Sequence, residues 1–156
     1  MDRFTYCCTS RASEGRGSSL TLGKNMAISA WDSFARQDSP NGRFEAVFDR
    51  AIEIAMGGPT RGVLRIVEKK TGESVIEVSD ANGAFVWASD SSALALPRWT
   101  RERKQQLVVV SMDTGRHKAL DGEYRVLELN CFTDGFIAGV DSPVHRPVEI
   151  RVQVSR

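Results

Sequence analysis

Val86-Trp87-Ala88-Ser89-Asp90-Ser91-Ser92-Ala93-Leu94-Ala95-Leu96, followed by Leu107-Val108-Val109-Val110-Ser111-Met112-Asp113-Thr114-Gly115, is the stretch on which the fold turns. It reads as an aromatic strand, a Ser-Asp turn, a small apolar strand, an aliphatic strand and a Thr-Gly turn. Leu107 to Ser111 has four consecutive strand formers with no polar alternation, which predicts burial on both faces. The same order occurs earlier, from Ser39-Pro40-Asn41-Gly42-Arg43 through Val63-Leu64-Arg65-Ile66-Val67 to Thr71-Gly72. The two Thr-Gly pairs lie 43 residues apart. A weaker third copy spans Leu129-Asn130-Cys131-Phe132-Thr133-Asp134-Gly135-Phe136.

The rest of the chain agrees with a β reading. Phe44, Ala46 and Phe48 alternate with Glu45, Val47 and Asp49, and Ile52, Ile54 and Met56 continue the period of two. Gly57-Gly58-Pro59 breaks that run, and Asn82-Gly83 is a strong hairpin signal. Asp121-Gly122 and Asp134-Gly135 each turn the chain into another strand. In the last segment Val148, Ile150, Val152 and Val154 face one side and Glu149, Arg151, Gln153 and Ser155 the other. About ten or eleven short strands with turns every ~8–12 residues predict an all-β fold of antiparallel sheets. The one helical candidate is 26–36, where Ile28, Trp31 and Phe34-Ala35 recur at three- and four-residue spacing before Ser39-Pro40 stops the run. Residues 1–18, rich in Ser, Arg, Thr and Gly, are expected to form a poorly ordered arm, with 19–156 a single β domain.

The spacing of the Thr-Gly pairs matches the ~40–45 residues of a four-stranded propeller blade. On the residues quoted above, the chain resembles TolB-type and WD-repeat-like blades. These carry an aromatic-Ser-x-Asp-Gly turn after an inner strand, with Ser91 here where the family has Gly. The resemblance covers roughly residues 39 to 140 and implies a fold, not an activity. Propellers typically close with about 4–8 blades, so three copies imply an incomplete propeller-like stack, with a compact β-sandwich as the alternative.

Composition narrows the classes of function. The hydrophobic fraction of 41% and charged fraction of 26% are those of an ordinary globular domain. A net charge of +1 sets up no global field toward nucleic acid or a membrane surface. Cys7, Cys8 and Cys131 form no disulfide framework, and no apolar leader follows a basic start, so the chain reads as reduced and cytoplasmic. Cys131 reads as a core thiol. His117, His145 and the cysteines lack metal-ligand spacing, so no metal or cofactor is expected. No G-x-S-x-G elbow is present, and Gly57-Gly58-Pro59-Thr60-Arg61-Gly62 lacks the Gly-Lys-Ser/Thr ending of a phosphate loop. Acidic residues, including the pairs Asp49 with Glu53 and Asp134 with Asp141, fall in turns or on polar strand faces.

The unusual surface element is Pro97-Arg98-Trp99-Thr100-Arg101-Glu102-Arg103-Lys104, an arginine-rich stretch around a tryptophan expected to be exposed. Trp and Arg are the residue types enriched at interface hot spots. Trp99, Arg98, Arg101 and Arg103, with Met56 and Arg61 beside them, are therefore the expected partner-binding residues. The partner expected is a protein rather than nucleic acid. The function expected is non-enzymatic: an inhibitor or immunity (antitoxin) protein that occludes a toxin or effector through edge loops. The alternatives are a small-ligand-binding or enzymatic propeller-like domain, and a structural subunit that completes a larger β assembly.

Overall fold

The computed structural model describes residues 27–155, so the arm expected at 1–18 lies outside the described residues. Three antiparallel meanders follow one another. The first unit is β1 (Ala35–Asp38), β2 (Phe44–Glu53), β3 (Thr60–Glu68) and β4 (Ser74–Ala81). The second is β5 (Val86–Trp87), β6 (Ala93–Trp99), β7 (Gln105–Ser111) and β8 (His117–Ala119). The third is β9 (Leu127–Thr133), β10 (Phe136–Asp141) and β11 (Val148–Gln153). Within each unit every strand pairs with the next. Ala81 opposite Arg98 joins the first unit to the second. A bridge between Ala88 and Phe132 joins the second to the third.

The repeat is visible bond by bond. In the first unit Gly42 N–H donates to Ser39 O at 2.9 Å and Ser39 N–H to Phe44 O at 2.8 Å. In the second, Ser91 N–H donates to Ala88 O at 2.9 Å and Ala88 N–H to Ala93 O at 2.8 Å. Side chains repeat the pattern: Asn41 Oδ1 accepts from Arg43 N–H, and Asp90 Oδ1 from Ser92 N–H, both at 3.0 Å. The Thr-Gly turns match as well. Gly72 donates to Glu68 O and Gly115 to Ser111 O, both at 2.8 Å. Thr71 and Thr114 hydroxyls each accept the N–H two residues on, at 3.2 Å. Such side-chain-to-backbone bonds are what Ser, Thr, Asn and Asp offer a turn. Between β9 and β10, Asp134 and Gly135 have φ of 54° and 77°, the two positive angles of a type I′ turn.

Two cores lie between the three units. Phe44, Phe48, Leu64 and Ile66 of the first unit pack against Phe85, Trp87, Leu94, Leu96, Val108 and Val110 of the second. The opposite face of the second unit, with Ala95, Leu107 and Val109, packs on Leu127, Leu129, Phe132 and Ile137 of the third. The unalternating β6 and β7 are buried on both faces because they are the middle layer. Each fully buried Leu, Ile or Phe here contributes roughly 1.5–3 kcal/mol, so the middle unit holds the stack together.

Two expectations change. No helix occurs among the described residues, and 27–34 forms a turn leading into β1. Ser29 and Asp32 side chains satisfy the local backbone instead: Ser29 Oγ accepts from Trp31 N–H at 3.2 Å, and Asp32 Oδ2 accepts from Ser29 N–H at 3.3 Å. Such side-chain bonds compete with helix formation, and the carbonyl of buried Ala30 is held by Asn82 Nδ2 at 2.9 Å. Asn82-Gly83 is likewise no hairpin but the crossing from β4 to β5. Asn82 is fully buried, and its amide nitrogen also donates to Thr60 O at 2.8 Å.

Candidate functional site

The hairpins β2–β3 and β6–β7 turn at the same end of the molecule. Trp99, the last residue of β6, donates its indole N–H to Thr60 O, the first residue of β3, at 3.0 Å. Trp99 is 7% exposed. The expectation of an exposed Trp99 is therefore corrected: its ring lies in the seam between the first two units. The indole N–H finds its partner in a neighbouring backbone, as buried Trp requires. Trp31 and Trp87 do the same, donating to Gly57 O and Gln37 O.

Around this pinned seam the other candidates are spread over the surface. Arg98 is half-buried opposite Ala81. Arg61 is exposed at 4.0 Å from Asp80. Met56, at the β2–β3 tip, is 100% exposed. Arg101 and Arg103 are exposed at the β6–β7 tip, and neither lies within 4.0 Å of a carboxylate among the described residues. The tip is ordered from within. Thr100 N–H donates to Lys104 O at 2.8 Å, and Arg103, at φ 59°, donates to Thr100 O at 3.1 Å. Lys104 pairs with Glu123 at 3.5 Å. The structure thus brings Arg61, Arg98 and Trp99 to one seam, with Met56, Arg101 and Arg103 on the two hairpins that leave it.

The other end of the stack, where the Ser-Asp and Thr-Gly turns lie, carries an open cleft between the second and third units, with a volume of about 640 Å³. Asp90, Asp113 and Asp134 line it, with Ser89, Ser92, Ser111 and Ser155. The sequence places these aspartates in turns and says nothing of a cleft. The signal that could have found it is the repeat itself, because equivalent turns of stacked units fall at one end. Asp90 Oδ1 is already engaged by Ser92 Oγ at 2.6 Å.

Among the described residues three groups titrate away from their ordinary range, and the first, the Arg36 guanidinium, is raised by its hydrogen bond to Glu45 and by that residue's charge. The Glu128 carboxyl on β9 is raised, first by burial and then by the nearby charge of Asp32. The Tyr124 phenol is raised by burial and then by Asp141. His117 and His145 are exposed, and no group of metal-ligating side chains occurs among the described residues. Asp49, one of the paired carboxylates of the sequence, is instead bonded to Arg65 at 2.6 Å. Cys131 is buried on β9. No described helix is long and apolar enough to cross a membrane.

No family model and no curated protein matches the chain. Among solved structures, it is similar to TolB from Acinetobacter baumannii, with a TM-score of 0.54 and 12% identity over 77% of this chain. The fold is propeller-like. The match spans 30% of the TolB chain. The β-propeller domain of the trilobed protease from Pyrococcus furiosus also aligns, over 81% of this chain and 45% of that one, with a TM-score of 0.47 and 11% identity. At these identities the likeness concerns architecture alone.

Proposed function

We propose that the chain is a non-enzymatic protein-binding module, an inhibitor or immunity (antitoxin) protein that covers a toxin or effector with the hairpin end of its stack. One observation carries the reading. Two hairpins, fixed to each other through Trp99 and Thr60, leave Met56 exposed at one tip and Arg101 and Arg103 exposed at the other. Exposed Met is adaptable contact surface. An Arg with no carboxylate beside it among the described residues keeps its planar fork for a carboxylate on another protein. A rigid base keeps the ordering cost of binding low. Trp99 serves as the internal clamp, not as an anchor in the partner.

The test is capture from lysate of the source organism followed by mass spectrometry, with wild type and a Met56→Glu/Arg101→Glu/Arg103→Glu variant. The reading expects a specific partner lost from the variant while both proteins melt at the same temperature. Equal capture by both sinks it.

A second reading rests on the cleft. Its volume falls in the ~300–1,000 Å³ range of small-molecule sites, and Asp113 and Asp134 along it would favour a cationic ligand.

A further inference from the structure

The first two units have four strands each, whereas the third ends at β11. The far edge of β11 pairs with no strand among the described residues. Its direction can be read from one bond, since Val154 N–H donates to Gly135 O at 2.7 Å, toward β10. Peptide groups alternate in direction along an antiparallel strand. Those of Val148, Ile150 and Val152 therefore also turn to β10, and those of Glu149, Arg151 and Gln153 point outward. These three side chains are exposed.

We propose that this edge pairs with the same edge of a second copy of the chain, antiparallel and centred on Ile150. Edge strands are ready templates for pairing, and proteins commonly blunt them with charged side chains, Pro or bulges. Here the two charges are of opposite sign, so a suitable register pairs them across the edge. Centred on Ile150, the two strands place Glu149 opposite Arg151 of the second copy, and Arg151 opposite Glu149 of the second copy. Val148 then faces Val152, and Ile150 faces its own counterpart. Opposite charges and aliphatic residues set directly across from one another stabilise an antiparallel pair.

The register is selective. Centring on Glu149 or Arg151 sets like charges face to face. Centring between two residues sets the buried face of one strand against the exposed face of the other, which the period of two forbids. With Ile150 at the centre, Glu149 and Arg151 are both outward-pointing, so their N–H and C=O groups exchange hydrogen bonds across the pair. Gln153 falls opposite Pro147, which has no N–H, so the ladder stops there. The second copy's β11 then takes the outermost position that β4 and β8 fill in the other two units. The arrangement is two-fold and self-complementary, hence closed at a dimer. A six-residue strand pair is small beside a standard interface of about 1,600 Å², so the association is concentration-dependent.

Analytical ultracentrifugation over a concentration series of the full chain tests this with two single variants. Wild type should move from monomer to dimer as concentration rises. Glu149→Arg puts Arg opposite Arg, and Arg151→Glu puts Glu opposite Glu, so each alone should stay monomeric. Mixed one to one, they restore both opposite-charge pairs and should form a heterodimer. Arg151 also stacks over the Phe136 ring at 4.4 Å, so thermal melts of both variants accompany the series; Glu149→Arg leaves that contact untouched. A wild type that remains monomeric at high micromolar concentration overturns the proposal. So does a dimer that survives Glu149→Arg, or a mixture that fails to associate although both variants are folded.

Discussion

Ser91 carries a left-handed backbone, φ 65°, at the position where the equivalent turn of the first unit has Gly42 at φ 71°. An L side chain there costs about 1–2 kcal/mol. Part of that cost is offset by a bond between units, because Ser91 Oγ accepts from Asn41 N–H at 2.9 Å. A neutral hydrogen bond contributes about 0.5–1.5 kcal/mol net, so strain and bond nearly cancel. Replacing Ser91 with Ala or with Gly removes the hydroxyl in both cases, and the difference isolates the strain. Ser91→Gly should be more stable than Ser91→Ala by about 1 kcal/mol in urea denaturation; equal stabilities would mean that the turn relaxes. Trp99 combines ring burial with a bond to Thr60 O. Truncation to Ala should cost about 3–5 kcal/mol, seen as a fall in Tm, whereas a loss under about 1 kcal/mol, the range of surface substitutions, would return Trp99 to the surface. Glu128 sets a pH dependence. Its folded carboxyl is raised by burial and Asp32, so the fold favours the protonated form. The unfolded value lies near the ordinary carboxylate range, about 4.3. Stability from this group is present below that value and is lost as pH rises through the higher folded value. Glu128→Gln should therefore be more stable than wild type at about pH 7, with the gap closing toward about pH 4. A variant less stable at neutral pH would show that the carboxylate is held by attraction instead.

The crossing from β4 to β5 shows how one glycine fixes the placement of a whole element. A Cβ built on Gly83 would lie 2.5 Å from Cδ1 of Phe48, and that ring is fully buried. The ring cannot withdraw from a close-packed core without cost. Gly83→Ala should cost about 1–3 kcal/mol through overpacking, and Phe48→Leu should recover part of that loss in the double variant. Additive losses would mean that the strain lies in the backbone. Asn82-Gly83 reads from sequence as a hairpin because the same dipeptide serves positive φ; here its glycine serves close approach and its asparagine serves buried carbonyls. Asp134-Gly135 is legible because a two-residue turn depends only on local φ. The two Thr-Gly turns are legible for the same reason, each closed by its own threonine hydroxyl. The segment 27–34 is not, since its apolar spacing suits a helix while the Ala30 carbonyl is claimed by Thr60 and Asn82. Trp99 misleads on similar grounds. Its arginine neighbours describe the hairpin tip, while its own ring answers to a strand of another unit.

The order of the three units makes the molecule's stability uneven along the stack. The second unit is covered on both faces, and Leu94, Ala95, Leu96, Leu107, Val108 and Val110 keep no exposed surface. Opening β6 or β7 therefore breaks both cores at once, so their amides should exchange only through global unfolding. At the far end, β11 has one neighbouring strand among the described residues, and Val148, Glu149, Arg151 and Gln153 are exposed along it. Ile150, Val152 and Val154 contribute partial burial to the second core. Detaching β11 gives up that partial burial and one ladder, far less than the whole. Sub-global openings of this kind have free energies well below that of global unfolding. Native-state hydrogen exchange should therefore rank β6 and β7 amides slowest, and those of Ile150 and Val152 faster by several kcal/mol of opening free energy. The measurement belongs at dilute protein, where β11 has no second copy beside it. Equal protection of Val152 and Val109 would mean that the three units unfold as one. In that case the third unit would draw its stability from more than its contact with the second.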